Sequence, residues 1–400
     1  MSGDLLPLAD LRVLEAGQLL AGPFCGQLLG DFGAEVIKIE DPGKGDPMRQ
    51  WGRVKPEGFS LWWPIVARNK KSITCDLRVG RGQEILRNLI QHTDIFVENF
   101  RPGTLERWGL GYDELSKINP KLILVRVSGF GQDGPYSTHA GFGSIGEAMG
   151  GVRHITGEPD RPPARIGISL GDALAGTFAT LGALVAVHAR KNSGRGQIVD
   201  CAIYEAVLAL MESVIPEWDI ANLERGRTGA ILPNVAPSNV YESADDETIL
   251  IAANQDSVFR RLASVMERVD LSTDERFISH DARGSNQGEL DVIIGSWTRE
   301  HTANKILELL NAAGVPAGRI YKAKDMLADL HFKAREAIVR LTHPVLGEFP
   351  MQNVVPKLSE TPGRVRWLGP NLGEHNKEVY GDLLHFSDSE LAELVEDGVV

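Results

Sequence analysis

The segment "RIGISLGDALAGTFATLGALVAVHAR" (165–190) holds one carboxylate, Asp172, at the head of a run dominated by small apolar residues. Two kinds of chemistry suit an acid there. As a helix N-cap, its oxygen would accept an amide of the first turn. As a nucleophile, it would stay ionised beside the positive end of the helix, a bias worth about 0.3–1 kcal/mol. The two roles are compatible, and the small residues of "GISLGD" leave room for a group to approach the acid.

Other loops carry binding chemistry. "VENFRPGTLERWG" (97–109) ends an apolar strand with Asn99 and Phe100 and continues through Arg101 and Arg107. An aromatic ring, an amide and guanidinium groups beyond the carboxyl end of a strand suit a nucleotide with phosphates. A polar loop with two solvated arginines fits the same composition. "ARNKKSITCDLR" (67–78) offers Lys70, Lys71 and Arg78 as phosphate contacts, or a solvated charge run. "GFGQDG" (129–134) fits G-x-G-x-x-G after a strand, but Pro135 and "YSTHAG" follow where a helix would have to open. It reads as a glycine turn rather than a dinucleotide fingerprint. The histidines show no metal-ligand spacing and there is no G-x-S-x-G, so neither a metal site nor a serine-elbow hydrolase is expected.

These loops need elements to hold them. "LRVLEAG", "EVIKIE", "KSITCDL", "IFVENF" and "KLILVRVSG" read as short buried strands, alternating with helices over "GPFCGQLLGDFG", "GRGQEILRNLIQHTD" and "GTLERWGLGYDELSKINP". That alternation predicts an α/β fold with a parallel sheet covered on both faces. In the first crossover Glu40 and Asp41 end the second strand where a ribose-binding acid sits. The loop "GQLLAGP" nevertheless has bulky residues where a pyrophosphate needs glycine, so the topology is Rossmann-like and the ligand is not NAD. "CAIYEAVLALMESVIPEWDIANLERG" (201–226) reads as one long helix. The glycine-bearing loop "RGRTGAILPNVAPSN" follows, then a strand pair around "YESADDETILIAAN" and several helices. "AIVRLTHPVLGEFPMQNVVPKLS" reads as extended strands, and the tail as a helix capped by Ser387 or Ser389.

At 400 residues the chain exceeds one ordinary core, and two lobes are expected. A net charge of −12 argues against nucleic acid or an anionic membrane as partner. Cys25, Cys75 and Cys201 lie far apart, as in a reduced compartment. "MSGDLLPLAD" lacks the basic start and apolar core of a secretory signal, and no run approaches the roughly 20 uninterrupted apolar residues of a spanning helix. The expectation is a cytoplasmic protein.

Seven fragments in order, "LRVLEAGQLLAGPFCGQLLGDFGAEVIKIEDPGKGD", "NKKSITCDL", "VENFRPG", "GFGQDGPY", "GISLGDALAG", "GRGQIVDCAIYEA" and "LGEHNKEV", resemble the family III coenzyme A transferases, the CaiB/BaiF family. The resemblance implies a Rossmann-like large CoA-binding domain (1–225, resumed over 331–400) and a small α+β domain (226–330). It also implies a homodimer of interlocked chains. Asp172 matches the family's nucleophile. In that scheme the carboxylate attacks a donor acyl-CoA to give an acyl-aspartyl anhydride and CoA thiolate, which returns to form an aspartyl-CoA thioester. An acceptor acid then attacks, and CoA resolves the second anhydride into product. The acyl-CoA is a substrate, with no permanently bound cofactor and no metal.

The implied CoA contacts are Leu20, Ala21, Cys75, Asp76, Leu77, Arg78, Asn99, Phe100, Arg101 and Arg107. The chain departs from some members at Asp41, where an arginine often stacks on adenine. At Leu20 it lacks the glutamine of oxalate-using members, which argues against formyl-CoA:oxalate exchange. A racemase branch uses a histidine after an Ala-Gly pair; here "HAGFGS" puts Phe142 there, removing one of two bases. Arg153 and Arg165, with His154 and Arg161 nearby in sequence, are candidates to hold the second carboxylate of a dicarboxylic acceptor. The pattern looks most like the branch that exchanges succinyl-CoA with such acids. Gly226 and Gly229 are candidate hinges of an active-site loop.

Overall fold

The computed structural model describes residues 6–400. The first five residues of the segment read above for a secretory signal lie outside them. Contacts divide the chain into two compact units. One takes the chain up to Val152, then Ile166–Pro216 and Lys333–Val400; the other takes Arg153–Arg165 and Glu217–Phe332. The expected boundaries lay at 225/226 and 330/331, with residues 153–165 in the large domain.

In the first unit, β1 (Arg12–Glu15), β2 (Glu35–Glu40), β3 (Lys70–Thr74), β4 (Ile95–Glu98), β5 (Ile123–Ser128) and β6 (Ile198–Ala202) form one sheet. Its order is β3-β2-β1-β4-β5-β6 and every pairing is parallel. This is the doubly wound order, whose winding reverses between β1 and β4. The connections include α1 (Ala21–Asp31), α2 (Gly80–Ile90), α3 (Gly143–Met149) and α4 (Leu170–Ser193).

Side-chain alternation explains the continuous apolar strands. Leu14, Ile37, Ile73, Phe96 and Leu124 point to one face, against Ile85, Leu86, Leu89 and Ile90 of α2. Their neighbours Val13, Val36, Ile95, Val97 and Val125 point to the other, against α1 and the alanines of α4. Both faces are therefore covered, which favours apolar strand positions, and the charged residues the strands do bury, such as Lys38 and Lys70 against Glu15, are paired.

The small residues of α4 are a packing requirement. Ala175, Ala179 and Ala183 are fully buried, and a Cβ added at Gly176 would lie 2.8 Å from the Ala21 carbonyl and 2.9 Å from Phe24 Cβ. The stripe lets α4 lie close against α1. Gly176→Leu should therefore lower stability by about 1–3 kcal/mol through overpacking, read as a lower urea midpoint at unchanged m-value. By length and composition α4 is also apolar enough to cross a membrane; the buried alanine stripe accounts for part of that composition. Leu181, Leu184 and Val185 on the same helix are exposed.

The long helix expected over 201–226 does not form. Ile198–Ala202 instead extends the sheet as β6, paired from Leu124↔Ile198 to Ser128↔Ala202, and short helices follow at Ile203–Leu208 and Val214–Ala221. At Cys201 and Ala202 sheet pairing, a long-range gain invisible to local periodicity, wins over helix propensity. At its start Gly196 lies flat against the Leu122 backbone, where a side chain would collide.

The first unit also holds a hairpin of β10 (Ile338–His343) and β11 (Gly347–Gln352) and a final helix, Asp388–Glu396. Ser387 is its cap: Oγ accepts the Glu390 amide at 3.3 Å while Glu390 accepts the Ser387 amide at 2.8 Å. In the second unit β7 (Ser238–Glu242), β8 (Thr248–Ala252) and β9 (Ala317–Arg319) form an antiparallel sheet. It packs with helices around Phe259, Leu262, Phe277, Ile294 and Ile306.

Candidate functional site

Doubly wound sheets bind ligands where the winding reverses, beyond the carboxyl ends of the strands. At that point lies a cavity of about 270 Å³. Its walls come from the segment after β1 (Gln18, Leu19, Leu20, Ala21), the end of β4 (Asn99, Phe100), the end of β5 (Ser128, Gly129), and Trp51, Phe142 and Asp172. Asp172 is the only ionisable side chain among the described residues lining it. It is partly exposed.

Asp172 is not the N-cap. The helix begins at Leu170 after Ser169, so Asp172 is third in its first turn. There the residue lines the cavity while its carboxylate stays close to the helix's positive end. Helix α3 brackets this turn. The buried Glu147 accepts the Gly171 amide at 3.2 Å, and Gly143 lies against the Asp172 carboxylate with no Cβ between them.

Asn99 works on the neighbouring loop. Its Oδ1 accepts the Gln18 amide and its Nδ2 donates to the Gln18 carbonyl, both at 2.8 Å. Gly17 and Gly22 keep the approach open, since a Cβ on either would press on Asn99 at 3.3–3.4 Å. Next to Asn99, buried Glu98 accepts the Phe100 amide at 2.7 Å and the Arg126 Nε–H at 2.7 Å. Burial pushes the Glu98 carboxyl up to about 7 against the pull of Arg126.

A second cavity of about 180 Å³ shares Gln18 and Phe100 with the first. It brings together Cys75, Asp76, Leu77 and Arg78 with Asp41 and Trp108. Phe100 meets Trp108 edge to face at 5.4 Å. Arg78 donates to Asp76 (2.7 and 3.0 Å) and to Asp41 (2.8 Å). The hydrogen bond from Arg78 holds the Asp76 carboxyl below its ordinary range. The Cys75 thiol is buried, pushed up to about 12 by desolvation, and so stays neutral.

The structure thus gathers Leu20, Ala21, Asn99, Phe100 and Asp172 on one cavity and Cys75–Arg78 on its neighbour. Arg101 and Arg107 line neither; both are exposed, and Arg107 donates to Thr104 Oγ1 at 2.9 Å. Arg153 and Arg165 belong to the second unit, as do Gly226 and Gly229. Gly229 has a left-handed backbone against Glu158, and Gly226 has open space around it.

Lys70 cannot meet a phosphate. It is fully buried, donating to Glu15 Oε2 at 2.8 Å and to the Pro23 carbonyl at 2.7 Å. Strand alternation turns it under α1. Lys71 pairs with Glu35 and Glu378. The glycines of "GFGQDG" do form turns, with φ +91° at Gly131 and +80° at Gly134, and no helix opens until Gly143. Trp51, Ser128, Gly143 and Glu147 had no sequence signal as site residues. Trp51 sits in a loop without periodicity, and the other three matter through close approach in space.

A family model described as CoA-transferase family III matches residues 8–376. A succinyl-CoA:D-citramalate CoA-transferase of Chloroflexus aurantiacus is 62% identical, covering 97% of this chain and 96% of that protein. The beta subunit of a succinyl-CoA:L-malate CoA-transferase from the same organism is 39% identical over 97% of each. A crystal structure of a CAIB/BAIF family protein from Brucella suis superposes with a TM-score of 0.85 at 32% identity, covering 95% of this chain and all of the other.

Proposed function

The chain belongs to CoA-transferase family III, and from that premise we propose that it moves CoA from succinyl-CoA to a dicarboxylic acid, D-citramalate first among them, with Asp172 as the covalent carrier. The observation that supports this reading best is that Asp172 is the single ionisable group, among the described residues, on the cavity at the sheet's switch point. A two-base proton exchange needs a second titratable group, and Phe142 stands where the racemase branch has its histidine.

The chemistry balances in four steps. Asp172 attacks the succinyl thioester carbonyl, the C–S bond breaks, and CoA leaves as thiolate. The thiolate attacks the aspartyl carbonyl of the anhydride and expels succinate. The acceptor carboxylate attacks the aspartyl-CoA thioester and frees the thiolate again. The thiolate then attacks the acceptor's acyl carbon, releasing product thioester and regenerating Asp172. No proton or redox partner is required, in keeping with a cavity of apolar and amide groups. Such walls also keep water from the anhydride.

Leu20, Ala21, Asn99 and Phe100 are the proposed contacts near the thioester, with Cys75, Asp76, Leu77 and Arg78 contacting the rest of CoA and Arg101 and Arg107 its phosphates. Arg153 and Arg165 are the proposed anchors for the acceptor's second carboxylate. We further propose that the enzyme is a cytoplasmic homodimer of interlocked chains. Leu181, Leu184 and Val185, exposed on one helix, support a buried counterpart on a second copy. A donor–acceptor matrix read by mass spectrometry tests the substrates. With succinyl-CoA, kcat/KM for D-citramalate, L-malate and glutarate should exceed that for acetate or butyrate by about tenfold or more, the worth of one charge-assisted hydrogen-bond pair. A preference for the monocarboxylates would refute the dicarboxylate assignment.

A further inference from the structure

The segment Gln18–Leu20 that walls the Asp172 cavity has an unusual backbone. Leu19 has φ +62°, a left-handed conformation that a γ-branched side chain rarely adopts and that persists only where its surroundings impose it. What imposes it here is a buried ion pair. The Leu19 amide donates to both oxygens of Asp46, at 3.1 and 3.3 Å. Asp46 also accepts the Met48 amide at 2.8 Å. Lys38 lies 2.7 Å from Asp46 Oδ2 and 3.0 Å from Glu15 Oε1, and donates to the Gly17 carbonyl at 2.7 Å.

Both side chains are almost wholly removed from water, at 2% and 1% exposure. Burial alone would raise the Asp46 pKa; the Lys38 ammonium and the amides of Met48 and Leu19 bring it below its ordinary value. Glu40, which accepts the Asp46 amide at 2.9 Å and Arg49 at 2.7 Å, ties the same loop to β2. Lys38 thus touches the chain at Gly17, before the wall, and reaches Leu19 within it through Asp46. Leu19 and Leu20 in turn pack on the buried cluster of Met48, Trp63, Val66 and Ala67.

We propose that Asp46 is a positioning residue for the transfer reaction: held by Lys38, it fixes the left-handed Leu19 and so the wall that encloses the acyl group on Asp172. The proposal rests on the covalent reading of Asp172. No group of the pair lines the cavity, so its effect passes through the wall alone. Its consequence is selective. A loosened wall still admits acyl-CoA but no longer excludes water from the anhydride and thioester.

The test uses the full-length enzyme with succinyl-CoA, with and without D-citramalate. Asp46→Ala should lower kcat for transfer and raise the ratio of hydrolysis to transfer, each by about tenfold or more, as expected of an ångström-scale misplacement. KM for succinyl-CoA should stay within about threefold, and the mass of the adduct at Asp172 should still appear. A merely structural residue would lower the amount of folded enzyme without moving the hydrolysis ratio. A folded Asp46→Ala enzyme with the wild-type ratio and kcat overturns the proposal. Asp46→Asn keeps an oxygen for the Leu19 amide and weakens only the hold of Lys38, so its ratio should fall between the two. If the alanine variant does not fold, an unchanged ratio in Asp46→Asn decides against the proposal. Absence of any adduct at Asp172 in the wild-type enzyme would instead remove the covalent reading, and this proposal with it, whatever the Asp46 variants do.

Discussion

Asp172→Ala should reduce CoA transfer by at least about a thousandfold, the scale seen when a covalent carrier is removed rather than weakened. The side chain is partly exposed and sits in the first turn of α4, not at its cap, so its loss should leave the helix and the melting midpoint nearly unchanged. CoA affinity, measured by calorimetry, should also survive, because the remaining cavity walls are untouched. Wild-type enzyme incubated with succinyl-CoA should gain the mass of CoA less one water at Asp172, and hydroxylamine should trap that thioester and inactivate the enzyme. The alanine variant should show neither. Transfer at a comparable rate in Asp172→Ala would contradict the covalent scheme outright, since no other ionisable side chain lines the cavity among the described residues.

Where the fold was legible in sequence, packing had to be uniform. The strands buried on both faces read as short β-branched and apolar stretches between helices, and "EVIKIE" coincides with β2. The tail helix announced itself through Ser387 and Glu390, a purely local device. Long-range pairing defeated the same reading at Cys201 and Ala202, which suited the start of a helix until β5 drew them into an edge strand. The site divides in the same way. Asp172 stood out because a lone acid headed an apolar run, and Asn99 because an amide ended one. Their actual work was less visible: Asn99 spends its amide on the Gln18 backbone, and Lys70, a phosphate candidate by composition, is committed to Glu15 beneath α1. Charge in sequence says nothing of which way a strand turns it, and the partners Asp46, Gly143 and Glu147 are remote from or unremarkable beside the residues they hold.

Gly143 gives the second large effect. A Cβ built there would stand 2.6 Å from Asp172 Cγ and 2.8 Å from Oδ1, closer than carbon atoms tolerate without displacement. The neighbourhood offers no retreat. Glu147 pins the Gly171 amide, and Gly171 is itself wedged so that a Cβ would meet Glu147 Cγ at 3.0 Å and the Gly143 carbonyl at 3.1 Å. The carboxylate must therefore rotate away from its attacking position, or α3 must lift. An anhydride or thioester at Asp172 needs more room than the free acid, so the clash grows along the reaction. Gly143→Ala should cut kcat by about a hundredfold, as misplacement of a reacting group by an ångström does, with a smaller change in KM for the acyl-CoA, and Gly143→Val should be worse still. Gly167→Ala is the matched control: it lies five residues before Asp172 with open space around it, and its kcat should remain that of the wild type. Wild-type kcat in Gly143→Ala would mean that Asp172 reacts from another rotamer, facing away from α3.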